Sequence, residues 1–123
     1  MIFKVWKISH MLPENIKNEI LEALKPVNPY KIILFGSYAR NDANINSDID
    51  LYIVTGDDFI PGSFADKMSI KTQVTKALRM LKKKYDFDII VHTKKMSEIF
   101  FRTNGLLAKD IRAHGVVWDD RFI

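Results

Sequence analysis

A chain of 123 residues with a net charge of +4, a sequence pI near 9.3, 47% hydrophobic and 28% charged side chains has the make-up of one globular domain, with no room for a second. Cysteine is absent, which excludes disulfides and thiolate metal sites, and His10, His92 and His114 lack the spacing of a zinc site. No apolar run approaches the roughly 18 residues of a membrane span, and the opening MIFKVWKISH has no signal-peptide h-region or small-residue cleavage site, so a cytoplasmic location and no membrane partner are expected.

Residues 1–10 read as an N-terminal extension or a strand, with Met11 a possible alternative start and 11–123 the domain proper. In 14–25, Ile16, Ile20, Leu21 and Leu24 form one stripe, so this segment is an amphipathic helix that Pro26 and Pro29 close. Lys31–Phe35 (KIILF) and about 48–54 have the length and β-branching of strands, joined by GSYARNDANINSDID. Residues 55–63 are a loop by their Gly, Asp and Pro content, and 64–84 repeat Ile70, Val74, Ala77, Leu78 and Leu81 at helical spacing. A third strand is expected at Asp86–Val91 and a helical stretch at about 97–113, with an interruption at Asn104-Gly105. Val116–Trp118 ends the order as a short strand. Helices and strands in this order suggest an α+β fold, an α/β sandwich built on a small mixed β-sheet with helices packed mainly on one face. The basic excess sits largely on one predicted helix (Lys71, Lys76, Arg79, Lys82–Lys84), and reads first as a solvated helix face.

The chemistry concentrates between the first two strands. Gly36 and Ser37 fall where one strand ends, and Asp48 and Asp50 where the next begins, on one side of it because strand residues alternate faces. Two carboxylates that close repel by about 4 kcal/mol at an effective dielectric of ~20. Such a pair persists where a cation or solvent compensates it, and a divalent metal is the natural candidate. Gly36 lets backbone amides approach an anion, and Ser37 adds a hydroxyl donor. A short helix beginning at 37–41 would aim its own amides at the same guest, most simply a phosphate. Hard oxygen ligands at Asp48 and Asp50 suit Mg²⁺ that also binds phosphate oxygens. Asp88, followed by the apolar run Ile89–Val91, offers a third carboxylate, which would allow a two-metal site. Asp86 is more simply a solvated residue or a cap.

Other motifs fail definite tests. A P-loop needs Gly-Lys-Ser/Thr, and no Lys follows Gly36 in that register; a dinucleotide fingerprint needs three spaced glycines. An EF-hand fits Asp42, Asn44, Asn46, Asp48 and Asp50, but its turn glycine would be Ser47 and its bidentate Glu would be Ile53.

Gly36-Ser37-x10-Asp48-x-Asp50 with a later strand Asp88, the stretches LFGSYAR…SDIDLYIV and FDIIVHT, and the ending GLLAKDIRAHGVVWDD together resemble the DNA polymerase β-like nucleotidyltransferase superfamily, and within it the minimal nucleotidyltransferase (MNT) family. The resemblance covers the chain from about Leu12 onward. It implies the nucleotidyltransferase fold, a triphosphate held at Gly36 and Ser37, Mg²⁺ bound by Asp48, Asp50 and Asp88, and Asp88 as the general-base candidate. It also implies phosphate contact by Arg40, for which a surface or packing role is an equal alternative. Asn41 departs from the Gly often found there, but Asn tolerates left-handed φ. The implied activity is transfer of a nucleoside monophosphate, AMP from ATP as substrate, onto a hydroxyl of a partner protein. Such a chain would act as the antitoxin of a HEPN-domain toxin, as part of a homo- or hetero-oligomer. The alternatives are an antitoxin acting by contact alone and a small-molecule, aminoglycoside-type nucleotidyltransferase. Direct nucleic-acid binding is not expected, because RRM- or KH-type motifs are missing.

Overall fold

The computed structural model describes residues 12–118; the expectations for 1–10 and Met11 fall outside them. Helix α1 (Glu14–Leu24) buries the predicted stripe, with Ile20, Leu21 and Leu24 all withdrawn from solvent. Pro26 tightens the following turn into 3₁₀ geometry (Lys25–Val27), and Asn28, at φ +51°, reverses the chain toward strand β1 (Lys31–Phe35). Helix α2 (Gly36–Arg40) follows at once, then a loop, then β2 (Ile49–Val54). Helix α3 (Phe64–Ala77) starts on Ser63, whose side chain accepts the Asp66 N–H.

The helix expected over 64–84 stops at Ala77, and a 3₁₀ turn at Leu81–Lys83 completes the segment. The chain has to turn there to deliver Asp86, whose carbonyl accepts the Ile49 N–H at 2.9 Å and opens the pairing of β2 with β3 (Phe87–His92). The last helical stretch is two helices, α4 (Lys94–Thr103) and α5 (Leu106–His114). Asn104, at φ +58°, ends α4 at the predicted Asn-Gly break, while the start lies earlier than expected because the Thr93 hydroxyl caps the Met96 N–H. Strand β4 (Val116–Trp118) closes the described chain.

The sheet order is β3-β2-β1-β4. β1 runs antiparallel to both β2 and β4, and β2 runs parallel to β3, which makes the sheet mixed. Alternation along the strands sorts the core. Ile32, Leu34, Leu51, Ile53, Ile89 and Val91 point to one face and pack with α1 and α3. Ile33, Phe35, Tyr52 and Val54 point to the other, against Ile111 of α5 and Phe100 and Phe101 of α4. The larger core therefore lies on the α1/α3 face, as the sandwich reading expected, and a smaller layer of α4 and α5 covers the opposite one. Full burial of a Leu or Ile stabilises by about 1.5–3 kcal/mol, so the larger cluster supplies most of the hydrophobic free energy. Among the described residues no helix is long and apolar enough to cross a membrane.

Candidate active site

Parallel pairing of β2 with β3 sets Asp50 directly opposite Asp88, and antiparallel pairing of β1 with β2 sets Phe35 opposite Asp50. Asp50 lies on the same strand face as Tyr52, and Asp88 on the same face as His92. The two carboxylates thus share the α4/α5 side of the sheet, at the end where β1 hands over to α2. Asp48, exposed just before β2, is close enough to add to their repulsion. Burial pushes the Asp50 carboxyl up to about 6, the charges of Asp88 and Asp48 push it the same way, and only Arg40 opposes them. The site is therefore an electrostatic deficit awaiting positive charge.

The turn above it is shaped around Asp50. Gly36 is buried with φ +71°, and a Cβ added there would collide with the Asp50 carboxylate. Glycine is required twice over, by the left-handed backbone and by the space. Ser37, partly exposed, begins the single turn of α2, whose far end is closed by Asn41 in the left-handed region at φ +65°. The replacement of Gly by Asn at that position is accommodated, although the buried Asn41 Oδ1 finds no hydrogen-bond partner. Arg40 points elsewhere: its guanidinium lies 3.4 Å from both Asp42 and Asp110, tying α2 to α5. The loop to β2 knits itself, with Asn46 N–H donating to Asn44 Oδ1 at 2.8 Å and Asn44 N–H to Ser47 Oγ at 2.9 Å. Asn44 is thus committed to the turn, which agrees with rejecting the calcium-loop reading. Asp86 lies outside β3 and contributes its backbone carbonyl to the sheet.

Among the described residues no three His, Cys, Asp or Glu side chains form a ready-made metal cage. Mg²⁺ does not demand one: it keeps waters and shares substrate phosphates with one or two carboxylates. The partly buried Asp50, with Asp88 beside it and no ion pair to either among the described residues, fits such a shared cation in charge and donor type.

Sequence reasoning missed what lies on the same sheet face behind the carboxylates. Tyr52 is fully buried, exchanges a 2.7 Å hydrogen bond with His92 Nδ1 and reaches Ser97 Oγ at 3.1 Å. Phe100 stacks on its ring with centroids 5.3 Å apart. Burial and the charge of Lys67 hold His92 below its ordinary value. The signal was present in the alternation Asp50-x-Tyr52 and Asp88-x-x-x-His92, but only the register of β2 against β3 brings the two ends together.

A family model described as polymerase beta, nucleotidyltransferase matches residues 14–111. No curated protein matches the sequence. Similar solved structures include a toxin-antitoxin with AMP-PNP, at TM-score 0.49 and 22% identity over 85% of this chain and 77% of that one. Two mutant forms of the toxin-antitoxin MntA-HpeT are also similar. One has TM-score 0.48 and 21% identity over 91% and 80% of the two chains; the other has TM-score 0.47 and 20% identity over 85% and 77%.

Proposed function

Since the chain belongs to the polymerase beta nucleotidyltransferase family, we propose that it transfers AMP from ATP to a hydroxyl of a partner protein, and that the partner is a HEPN-type toxin whose antitoxin it is. The observation that carries the chemistry is the pairing of Asp50 with Asp88 under the Gly36 turn, a cluster of negative charge compensated only in part by Arg40. The antitoxin assignment rests on the likeness of the Gly-Ser, Asp-x-Asp and third-Asp pattern to minimal nucleotidyltransferases.

Asp48, Asp50 and Asp88 would hold Mg²⁺, which supplies charge neutralisation at the phosphates when bound. Gly36 leaves room for phosphate oxygens against the backbone, and Ser37 offers its hydroxyl at the start of α2. The acceptor hydroxyl attacks the α-phosphorus in line; a P–O bond forms to the acceptor, and the bond to pyrophosphate breaks. Asp88, exposed at the edge strand β3, accepts the proton of the incoming hydroxyl. Rigid positioning by three adjacent strands accounts for the rest of the acceleration.

The test uses ATP labelled at the α-phosphate, Mg²⁺ and the product of the adjacent gene. Label on that protein, lost with Asp48→Asn and Asp50→Asn, supports the proposal. Inhibition of the partner that survives both substitutions without labelling would replace it with an antitoxin acting by contact. Label on a small hydroxylated acceptor would keep the chemistry and discard the toxin partner.

A further inference from the structure

The exposed side of α3 and the segment that follows it carry a charge excess that the carboxylate site does not use. Between Phe64 and Lys84 there are seven cations, Lys67, Lys71, Lys76, Arg79 and Lys82–Lys84, against one carboxylate, Asp66. This excess is larger than the +4 of the whole chain, so the remainder is net acidic. Of these cations only Lys84 forms an ion pair among the described residues, with Glu19 at 2.9 Å. Solvated helices ordinarily mix signs, so that side chains three or four apart attract. Here Lys67 and Lys71 repel at that spacing within α3, and Lys76, Arg79 and Lys82 gather around one groove where the chain leaves it. That pattern weakens the free chain and is relieved when an acidic surface covers it.

The centre of the face is not cationic. Phe64 is 76% exposed and Met68 41% exposed, one turn apart, and the same line continues through Thr72 and Thr75, with Arg79 just beyond the end of the helix. Lys67 and Lys71 flank it on one side and Lys76 on the other. Thr72, Thr75, Lys76, Arg79 and Lys82 line a shallow groove at its far end. An apolar centre of aromatic and Met side chains inside a charged rim is the anatomy of a protein interface. A nucleic-acid backbone gains nothing from an exposed Met, and one aromatic makes no stacking platform. α3 lies on the sheet face opposite Asp50 and Asp88. The segment after it, however, ends at Asp86, whose carbonyl bonds Ile49 between Asp48 and Asp50 at the edge strand β3, so a partner reaches both by wrapping that edge.

We infer that the exposed face of α3 is the docking surface for the acceptor protein, which presents carboxylates around an apolar patch that receives Phe64 and Met68. This rests on the function proposed above, in that the acceptor is a protein. The surface holds the partner while Asp48, Asp50 and Asp88 face its hydroxyl, which separates affinity from chemistry on two parts of one small domain.

The test measures the dissociation constant for the adjacent-gene product at about 50 and about 300 mM salt, where screening differs severalfold. The proteins are the wild-type chain, the triple variant Lys71→Glu, Lys76→Glu, Arg79→Glu, and the double variant Phe64→Ser, Met68→Ser. All five side chains are exposed, so circular dichroism should report unchanged folds. The charge reversal should weaken the complex at least about tenfold at low salt and remove most of its salt dependence. The apolar double variant should weaken it at both salt concentrations. ATP binding with Mg²⁺, measured separately, should stay at the wild-type value for both. Undiminished affinity in the triple variant overturns the inference, even if label transfer proceeds. A 20-mer RNA duplex that binds the wild type and loses the triple variant, while the protein complex is unaffected, replaces it with a nucleic-acid surface. Absence of any complex with the wild type overturns both the partner assignment and the docking surface. Binding that follows these variants while no label moves leaves the surface standing and discards the transfer.

Discussion

Asp50 and Asp88 occupy facing positions in the parallel ladder of β2 and β3, and their mutual repulsion helps lift Asp50 to about 6. Raised above its unfolded value of 3.8, Asp50 binds more protons folded than unfolded between those two values. Its contribution to stability is therefore present at low pH and lost as pH rises through about 6. Carboxyl NMR titration of the free protein should show this group titrating near 6, and Asp88→Asn should move the midpoint down toward the ordinary value. Nucleotide with Mg²⁺ should lower it as well, and activity should rise through the Asp50 titration because the ionised form holds the metal. A midpoint that ignores both changes would mean that the two carboxylates do not share a site.

Stability and activity should part company at this position. Asp50→Asn removes a charge that is partly buried among like charges, so the free protein should be at least as stable as the wild type in urea melts. Transfer should fall on the order of 10²-fold or more, the scale seen when an electrostatic group is removed from a transition state. A clear loss of stability would contradict the repulsion described here.

Gly36→Ala should be severe by two mechanisms. The added methyl collides with the Asp50 carboxylate, and the backbone at φ +71° strains any Cβ. A cost of about 1–3 kcal/mol is expected from urea denaturation, together with loss of transfer. The double variant Gly36→Ala with Asp50→Gly should recover part of the stability but none of the activity.

Asn41→Gly should be neutral or stabilising. It removes the strain of a side chain at φ +65° and the unpartnered Oδ1 together. An increase of up to about 1 kcal/mol is the expected scale, offset in part by the entropy of Gly in the unfolded chain. A marked loss would show that the Asn41 amide has a partner in solution.

Tyr52→Phe should cost about 1 kcal/mol by leaving His92 and Ser97 without their shared hydroxyl. His92 is held below its ordinary value of 6.5, so protonation below that pH favours the unfolded chain. Wild-type stability should therefore fall as pH drops below about 6.5 through this group, and a His92→Gln variant should lose that slope. Asp50 acts in the opposite sense over part of the same range, so the measurement is best made in Asp50→Asn.

Much of this architecture was legible in the residues alone because its signals are local. Apolar patterning located α1, α3 and the strands, whereas α2 was expected only conditionally, from the turn at Gly36. Asn104-Gly105 marked the break where a left-handed residue ends α4, but the end of α3 at Ala77 carried no such signal. Gly36 declared itself because a tight turn after a strand admits little else, and the two-residue spacing of Asp48 and Asp50 marked the carboxylate pair, although Asp48 lies just before β2 and strand alternation sets the side of Asp50 alone. The tertiary structure decided what depends on register. It set Asp88 against Asp50 rather than against a neighbour, joined Tyr52 to His92 across forty residues, turned Arg40 toward Asp110 on α5, and put α4 and α5 over the face that α1 and α3 leave open. Strand alternation is a property of one segment, but the choice of partner and its alignment are settled by the burial of all the segments together, and no single stretch of sequence contains it.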